Sequence, residues 1–251
     1  MTHFSLKNKK YLLFSIVIYI GLWQIAALIV DNNIAFPTVS EVGKAIYNII
    51  AGKTFALLIS TSIFRSIKAL IFSLMISVIL SIGSYLSKFI YNLINPLLSF
   101  IKSVPTMAFI VLLLIWVSKE YAPIIIGILI SLPIFYDVVL NSLLNLDEEI
   151  LEMCRVYNIS IKDKITKIIF PSMIRETMKV LGSTAALIFK VVISAEVYSQ
   201  PQYGIGASIQ FEKINLNTSG IIAWMLIILA ITYVFEILIS FFDKNIKERF
   251  N

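Results

Sequence analysis

Hydrophobic residues along this chain come in long unbroken runs separated by short polar stretches. They do not alternate at period two. Runs near the ~20 residues needed to cross a bilayer, with every backbone amide satisfied internally, predict helices and speak against a barrel. Placing each run gives about six transmembrane helices. The first covers residues 11–30; the second covers 69–87, with a start as early as Ser62 left open; the third covers 97–118, kinked at Pro105. The fourth covers 123–144 and contains Pro133 and Asp137, the fifth 180–198 with Lys190 and Glu196, and the sixth 220–242 with Glu236 near its end. Residues 11–30 follow Lys7, Lys9 and Lys10 as a signal peptide's apolar core would, but their length and the lack of a small-residue cleavage site predict a retained anchor. Residues 31–54 read as an external linker with a short interfacial helix. Residues 200–219 are too polar for a span and read as a turn or connector supported by Gly204 and Gly206.

Composition agrees with this pattern. The 251 residues are 59% hydrophobic and 14% charged, with a mean hydropathy of +0.90. The prediction is therefore an all-α integral membrane protein with one membrane domain, residues 55–243, after the first helix. Basic residues gather before the first span, between residues 147 and 175, and after the last span, whereas Lys44, Lys53, Lys119 and Lys213 are scattered on the other side. By the positive-inside rule residues 1–10 and 244–251 are cytoplasmic, as is the 147–175 loop. Topology thus accounts for the net charge of +6, and no nucleic-acid partner is required.

The 147–175 loop carries both signs of charge at helical spacing. Asp147, Glu148 and Glu149 suit a first helical turn, and Ile150, Cys154 and Tyr157 follow on one face. Asn158 tolerates the left-handed conformation that ends a helix, Ser160 with Asp163 starts another that reaches Phe170, and Pro171 stops or redirects it. Two short helices joined by a tight turn are expected, with apolar side chains offered to a partner.

Charges within spans mark functional or paired interior sites. Lys190 and Glu196 lie on nearly opposite sides of one helix and should seek different partners. For Lys190 the alternatives are the pathway, a pair with Asp137, or snorkelling to an interface. Glu196 is a candidate for gating or a helix contact, and Arg65 with Lys68 for a basic outer patch or a snorkelling pair. His3 is the only histidine, Cys154 the only cysteine, and neither a His-Glu-x-x-His pair nor a Gly-x-Ser-x-Gly element occurs. No catalytic or metal site is predicted.

Glu152, Asn158 six residues on, and then Ile168, Phe170 and Pro171 resemble the EAA loop of ABC-transporter permeases. Met153 and Cys154 replace its two alanines, Asn158 its glycine and Phe170 its leucine. Ser62 to Arg65, Lys102 to Pro105, Leu132 to Ile134, Ser194 to Glu196 and Gly204 to Gly206 are similar, in order, to further elements of the nitrate, sulfonate, taurine and bicarbonate importer permeases, a group that includes transporters of vitamin precursors. That resemblance implies a type I importer (MetI-like) permease core for a small, anionic solute or a vitamin precursor. It also implies partners: cytoplasmic ATPase subunits, an extracytoplasmic solute-binding protein and a second copy of the chain, all at a bacterial inner membrane. The chain has no phosphate-binding Gly-x-x-x-x-Gly-Lys-Ser/Thr loop, so no cofactor is expected on it and ATP with Mg belongs to the ATPase. Glu152, Arg155, Asn158, Ile168 and Pro171 become coupling candidates, Asn158 and Pro171 as shapers of the loop. Lys190, Glu196, Asp137 and Arg65 remain candidates for pathway or gate. The alternative is a secondary carrier or channel that uses Lys190, Asp137 and Glu196 without ATP.

Overall fold

The computed structural model describes residues 9–250, so His3, Lys7 and Asn251 lie outside the described residues, as do the side chains of Glu148 and Glu236. α1 (Lys9–Val30) is joined to α2 (Val39–Ala51), the short helix expected within the linker. Thr38 starts α2 with a reciprocal cap: its hydroxyl accepts from the Glu41 amide while Glu41 Oε2 accepts from the Thr38 amide at 2.9 Å. Trp23 Nε1 ties α1 to the Pro37 carbonyl at 3.0 Å.

Among the described residues four helices are long and apolar enough to cross a membrane: α3 (Phe55–Leu86), α6 (Ala122–Leu144), the continuous stretch Ile161–Ser199, and Thr218–Phe235 of α11 (Thr218–Phe250). Between α3 and α6 the chain forms α4 (Lys88–Ser103) and α5 (Thr106–Trp116), which meet at 106°. The kink expected at Pro105 is thus a break, because proline donates no amide and Val104 before it is extended (ψ 132°). With this pair the spans number five among the described residues, and α1, 22 residues long, is apolar over Phe14–Val30. The second span also starts at Phe55, ahead of both sequence estimates.

α6 is the hub, with α3 and α9 (Phe170–Ser199) packed along it. Lipid gives apolar helices no reason to leave it, so spans join through small residues and hydroxyls that let backbones approach. α3 supplies such a stripe. Ser62, Ser66, Ala69, Ser73, Ser77, Ser81 and Ser84 are all buried at spacings of three or four. Ser77 and Ser81 donate to the Leu132 and Tyr136 carbonyls of α6 at 2.9 and 3.0 Å, Ser73 bonds Ser131 at 2.8 Å, and the Tyr136 hydroxyl donates to Ser84 at 2.9 Å. The opposite face of α3 exposes Phe72, Met75, Ile79 and Leu86, as a lipid-facing surface should.

At Gly127 of α6 a Cβ would stand 2.8 Å from Ala69 Cβ and 3.1 Å from Val192 Cγ2. Gly127→Leu should therefore push α3 and α9 off α6 and cost about 1–3 kcal/mol. The check is the unfolding midpoint in detergent beside Gly43→Ala, where nothing lies within 4 Å. An unchanged Gly127→Leu midpoint would refute the close packing. Further on, Phe189 and Ile193 of α9 pack with Ile205 of α10 (Ile205–Ile214) and with Trp224 and Ile227 of α11. Half of the connector expected over 200–219 is thus a packed helix.

Candidate functional site

One end of the bundle is closed by a buried charge cluster. Ser62 and Arg65 stand one turn apart on α3, near its start, and Glu196 lies one turn before the end of the antiparallel α9. α9 ends at Gln200 in the left-handed conformation (φ 48°), and the chain doubles back through Gly204 into α10. That return brings the Gly206 amide onto the carboxylate, the Tyr203 carbonyl onto Arg65 and the Ile205 amide onto Ser62. Glu196, 0% exposed, accepts from the Ser62 hydroxyl at 2.7 Å, from Arg65 Nη1 at 2.8 Å and from the Gly206 amide at 3.0 Å. Arg65, 7% exposed, also donates to the Tyr203 carbonyl and to Glu120 Oε2, both at 2.6 Å. Glu120 Oε1 in turn accepts from the Gln202 amide, and the Ser62 hydroxyl from the Ile205 amide. Every charge taken out of water here keeps hydrogen-bonded partners, which a buried ion pair requires.

Both glycines of the return are set by its close approach to α9, Gly204 by the Glu196 carboxylate and Gly206 by the helix backbone. Gly204 sits at φ 156°, ψ 156°, a region that only glycine adopts readily, and a Cβ there would lie 2.7 Å from Glu196 Oε2. A Cβ on Gly206 would run into the Ile193 carbonyl oxygen, with Glu196 Cβ at 2.5 Å. Arg65 therefore does not form an outer patch with the exposed Lys68; it is drawn inward by two carboxylates. Glu120 was missed by the sequence reading, and nothing in a lone acid between two apolar runs could have marked it.

The opposite end carries the loop expected to dock a partner. α7 (Glu148–Val156) is capped by Asp147, which accepts from the Glu149 amide at 2.9 Å. Asn158 turns the chain at φ 49°, and α8 (Ile161–Lys164) begins at Ser160, whose hydroxyl accepts from the Asp163 amide at 3.1 Å. Asp163 also pairs with Lys167 at 2.8 Å. Pro171 does not end this second helix. A widened turn over Ile165–Ile169 precedes it, with the Phe170 amide donating to the Ile165 carbonyl, and the helix runs on through α9. The wider turn gives room to a proline that would otherwise clash with the carbonyl four residues back. Glu152 and Arg155 are exposed on α7, Ile168 is half-buried on the widened turn, and Cys154 is buried beneath. Glu152 forms no ion pair with an Arg or Lys of its own loop among the described residues. A hollow of about 410 Å³ opens between Cys154, Arg155, Asn158, Ile161 and Lys164.

The model of a family described as the binding-protein-dependent transport system inner membrane component matches residues 69–248. The chain belongs to that family. Its match takes in the loop, Glu196 and both glycines, while Ser62 and Arg65 lie just ahead of it. No curated protein matches the permease. Among solved structures it is similar to an amino acid ABC transporter determined with histidines, at 15% identity over 77% of this chain and 95% of that one, TM-score 0.64. It is likewise similar to the MetNI methionine ABC transporter in an inward-facing conformation, at 12% identity over 78% and 99%, TM-score 0.66. The family match together with these likenesses in fold shows a type I importer permease core.

The remaining intramembrane charges of the permease do not pair as one sequence alternative had it. Asp137 is bound by Lys102 of α4 and not by Lys190. Lys190 stands exposed beside a hollow of about 400 Å³ formed with Met225, Leu229, Thr232 and Tyr233 of α11. Lys190 and Glu196 do go to different surroundings, as their angular separation on α9 predicts.

Proposed function

We propose that this permease forms half of the translocation pathway of an ATP-driven importer for a small solute of the nitrate, sulfonate, taurine or vitamin-precursor group. A second copy of the chain supplies the other half, and an extracytoplasmic binding protein delivers the solute. Residues 1–10, the 147–175 loop and residues 244–251 face the cytoplasm, so the Arg65 and Glu196 cluster lies at the outer end. A cytoplasmic ATPase holds ATP and Mg and grips the loop.

One observation carries this reading: the α7 and α8 elbow exposes apolar side chains that no described residue covers. Tyr157 is 75% exposed and Ile161 79%, with Met153 and Val156 beside them. Ordinary packing would leave such a surface polar, whereas a docking knob needs apolar anchors inside a charged rim, here Glu152, Arg155 and Lys164. The elbow is also the start of one rigid helix, since Ile161–Ser199 runs without interruption to the outer cluster. Movement imposed on the elbow through Glu152 and Arg155 would therefore reach Glu196, about 50 Å from Ile161 at the helical rise, as a tilt of one body. Arg155 and Ile168 act in contact with the ATPase, while Asn158 and Pro171 hold the elbow's shape.

Purifying the tagged permease from its host in mild detergent should recover an ATPase in stoichiometric amount, and Glu152→Ala should weaken that recovery roughly tenfold, the loss of one charged contact within a docked surface. If no ATPase accompanies the wild type under conditions that hold a control transporter together, the ATP-independent carrier becomes the better reading.

A further inference from the structure

α6 is enclosed by α3, α4, α5 and α9, yet one stripe of it stays open. Asp137, Asn141 and Asn145 follow one another along that stripe at intervals of one turn, with the Asp137 side chain 43% exposed and both asparagines exposed. Asn141 and Asn145, with Ser172, Glu176 and Lys179 of α9, line a cleft of about 440 Å³, and Asp137 stands one turn beyond it on the same stripe. Glu176 and Lys179 pair at 2.6 Å. Lys102 closes the top of this wall: it comes from the last turn of α4, where the helix dipole favours a cation, and meets Asp137 beside the 106° break.

A charged side chain half-open to lipid within a span costs about 2.5–3.5 kcal/mol on insertion scales. The face of α3 that exposes Phe72, Met75 and Ile79 is what lipid accepts. The face with Lys102, Asp137, Asn141, Glu176 and Lys179 is therefore turned away from lipid, and its charges cancel in two pairs. Such a wall neither concentrates nor repels an ion through its overall field; it offers adjacent positive and negative poles with amides between them. Lys190 leaves this balance unchanged, since it stands about 16 Å further along α9 and lines a separate hollow against α11.

We propose that the Lys102 and Asp137 pair lines the translocation pathway and suits it to a small solute without net charge, bound by exchanging one pole of the pair for a pole of the solute. A simple anion at Lys102 would be left facing the displaced carboxylate of Asp137. The inference rests on the permease reading and narrows the anionic solute expected from sequence to zwitterionic or uncharged polar members of the same group.

The test uses Asn141→Cys in inside-out vesicles that hold the whole transporter, treated with a cationic and an anionic methanethiosulfonate reagent. Rates are normalised to a free thiol and corrected for the parent chain, whose Cys154 is buried. Both reagents should react at similar normalised rates. Lys102→Gln should raise the cation-to-anion ratio roughly fivefold and Asp137→Asn should lower it as much, the effect of one charge about 7 Å away in a wet cleft. Resistance of Asn141→Cys to both reagents, a ratio unmoved by either variant, or a strong preference for the anion in otherwise unchanged protein would each overturn the proposal. Recovery of the ATPase from the same vesicles separates the two failures: with it present only the pathway assignment falls, and without it the permease reading falls first.

Discussion

Arg65→Ala should lower the stability of the permease by about 3–5 kcal/mol, the cost of leaving a buried carboxylate without its cation. Glu196 is fully enclosed, so water cannot take the place of the guanidinium, and Ser62 and the Gly206 amide alone do not neutralise it. Glu120 would be left unpaired as well, but it is 41% exposed and can be hydrated. Glu196→Gln should be milder, because the amide oxygen still accepts from Gly206 and Arg65 keeps Glu120. The double variant Arg65→Leu with Glu196→Leu should recover most of the loss, since no charge remains buried. Unfolding midpoints in detergent for the four proteins decide the matter. If Arg65→Ala matches the parent, or the double variant is the worst of the three, the cluster is not an interdependent pair.

The second large effect is expected at Gly206. Valine there would bring its Cβ onto the Ile193 carbonyl oxygen and within 2.7 Å of the Val197 nitrogen, both backbone atoms of α9 that no rotamer change can move. α10 must then leave α9, taking the Gly206 amide from Glu196 and the Ile205 amide from Ser62. The expected loss is about 3 kcal/mol or more, at the upper end for overpacking, because the steric shift also strips hydrogen bonds from a buried charge. Protease digestion of the permease, followed by mass spectrometry, should show new cuts between Gln200 and Ile214. A digestion pattern like that of the parent would mean α10 is not held by this approach.

Both variants also bear on transport. The cluster joins α3, the Glu120 segment and α9 at the end where α9 finishes, and the elbow sits where the same continuous helix begins. If the cluster only holds the fold, transport should follow the folded fraction in each variant. If it forms part of the outer closure, Glu196→Gln should alter transport more than its stability accounts for.

Much of the local architecture was written in the order of residues. Continuous apolar runs announced helices, because in lipid no other open-chain structure satisfies the backbone. Asp147, Asn158 and Ser160 announced the elbow through chemistry confined to a few neighbouring residues: a cap, a left-handed turn and another cap. The break at Pro105 was visible as a kink but not as a turn of 106°, since proline removes a hydrogen bond while the angle that follows depends on what the two halves pack against. Pro171 misled for the same reason, because the widened turn that accommodates it is a property of the whole helix.

Side-chain pairing was the part no local rule could reach. Ser62, Arg65, Glu196, Gly204 and Gly206 stood out as separate short elements up to 144 residues apart, and nothing in their spacing said that they meet. Charge counting offered Asp137 to Lys190, whereas the fold gave it to Lys102, the residue beside the broken helix. The sequence by itself determined a multi-pass helical membrane protein, its topological bias and the elbow, because hydropathy, capping and turn preference act within a few residues. Only the tertiary structure decided which charges neutralise one another, which face of α6 stays open and why glycine is required at Gly204 and Gly206, since each depends on atoms brought together from distant helices at van der Waals range.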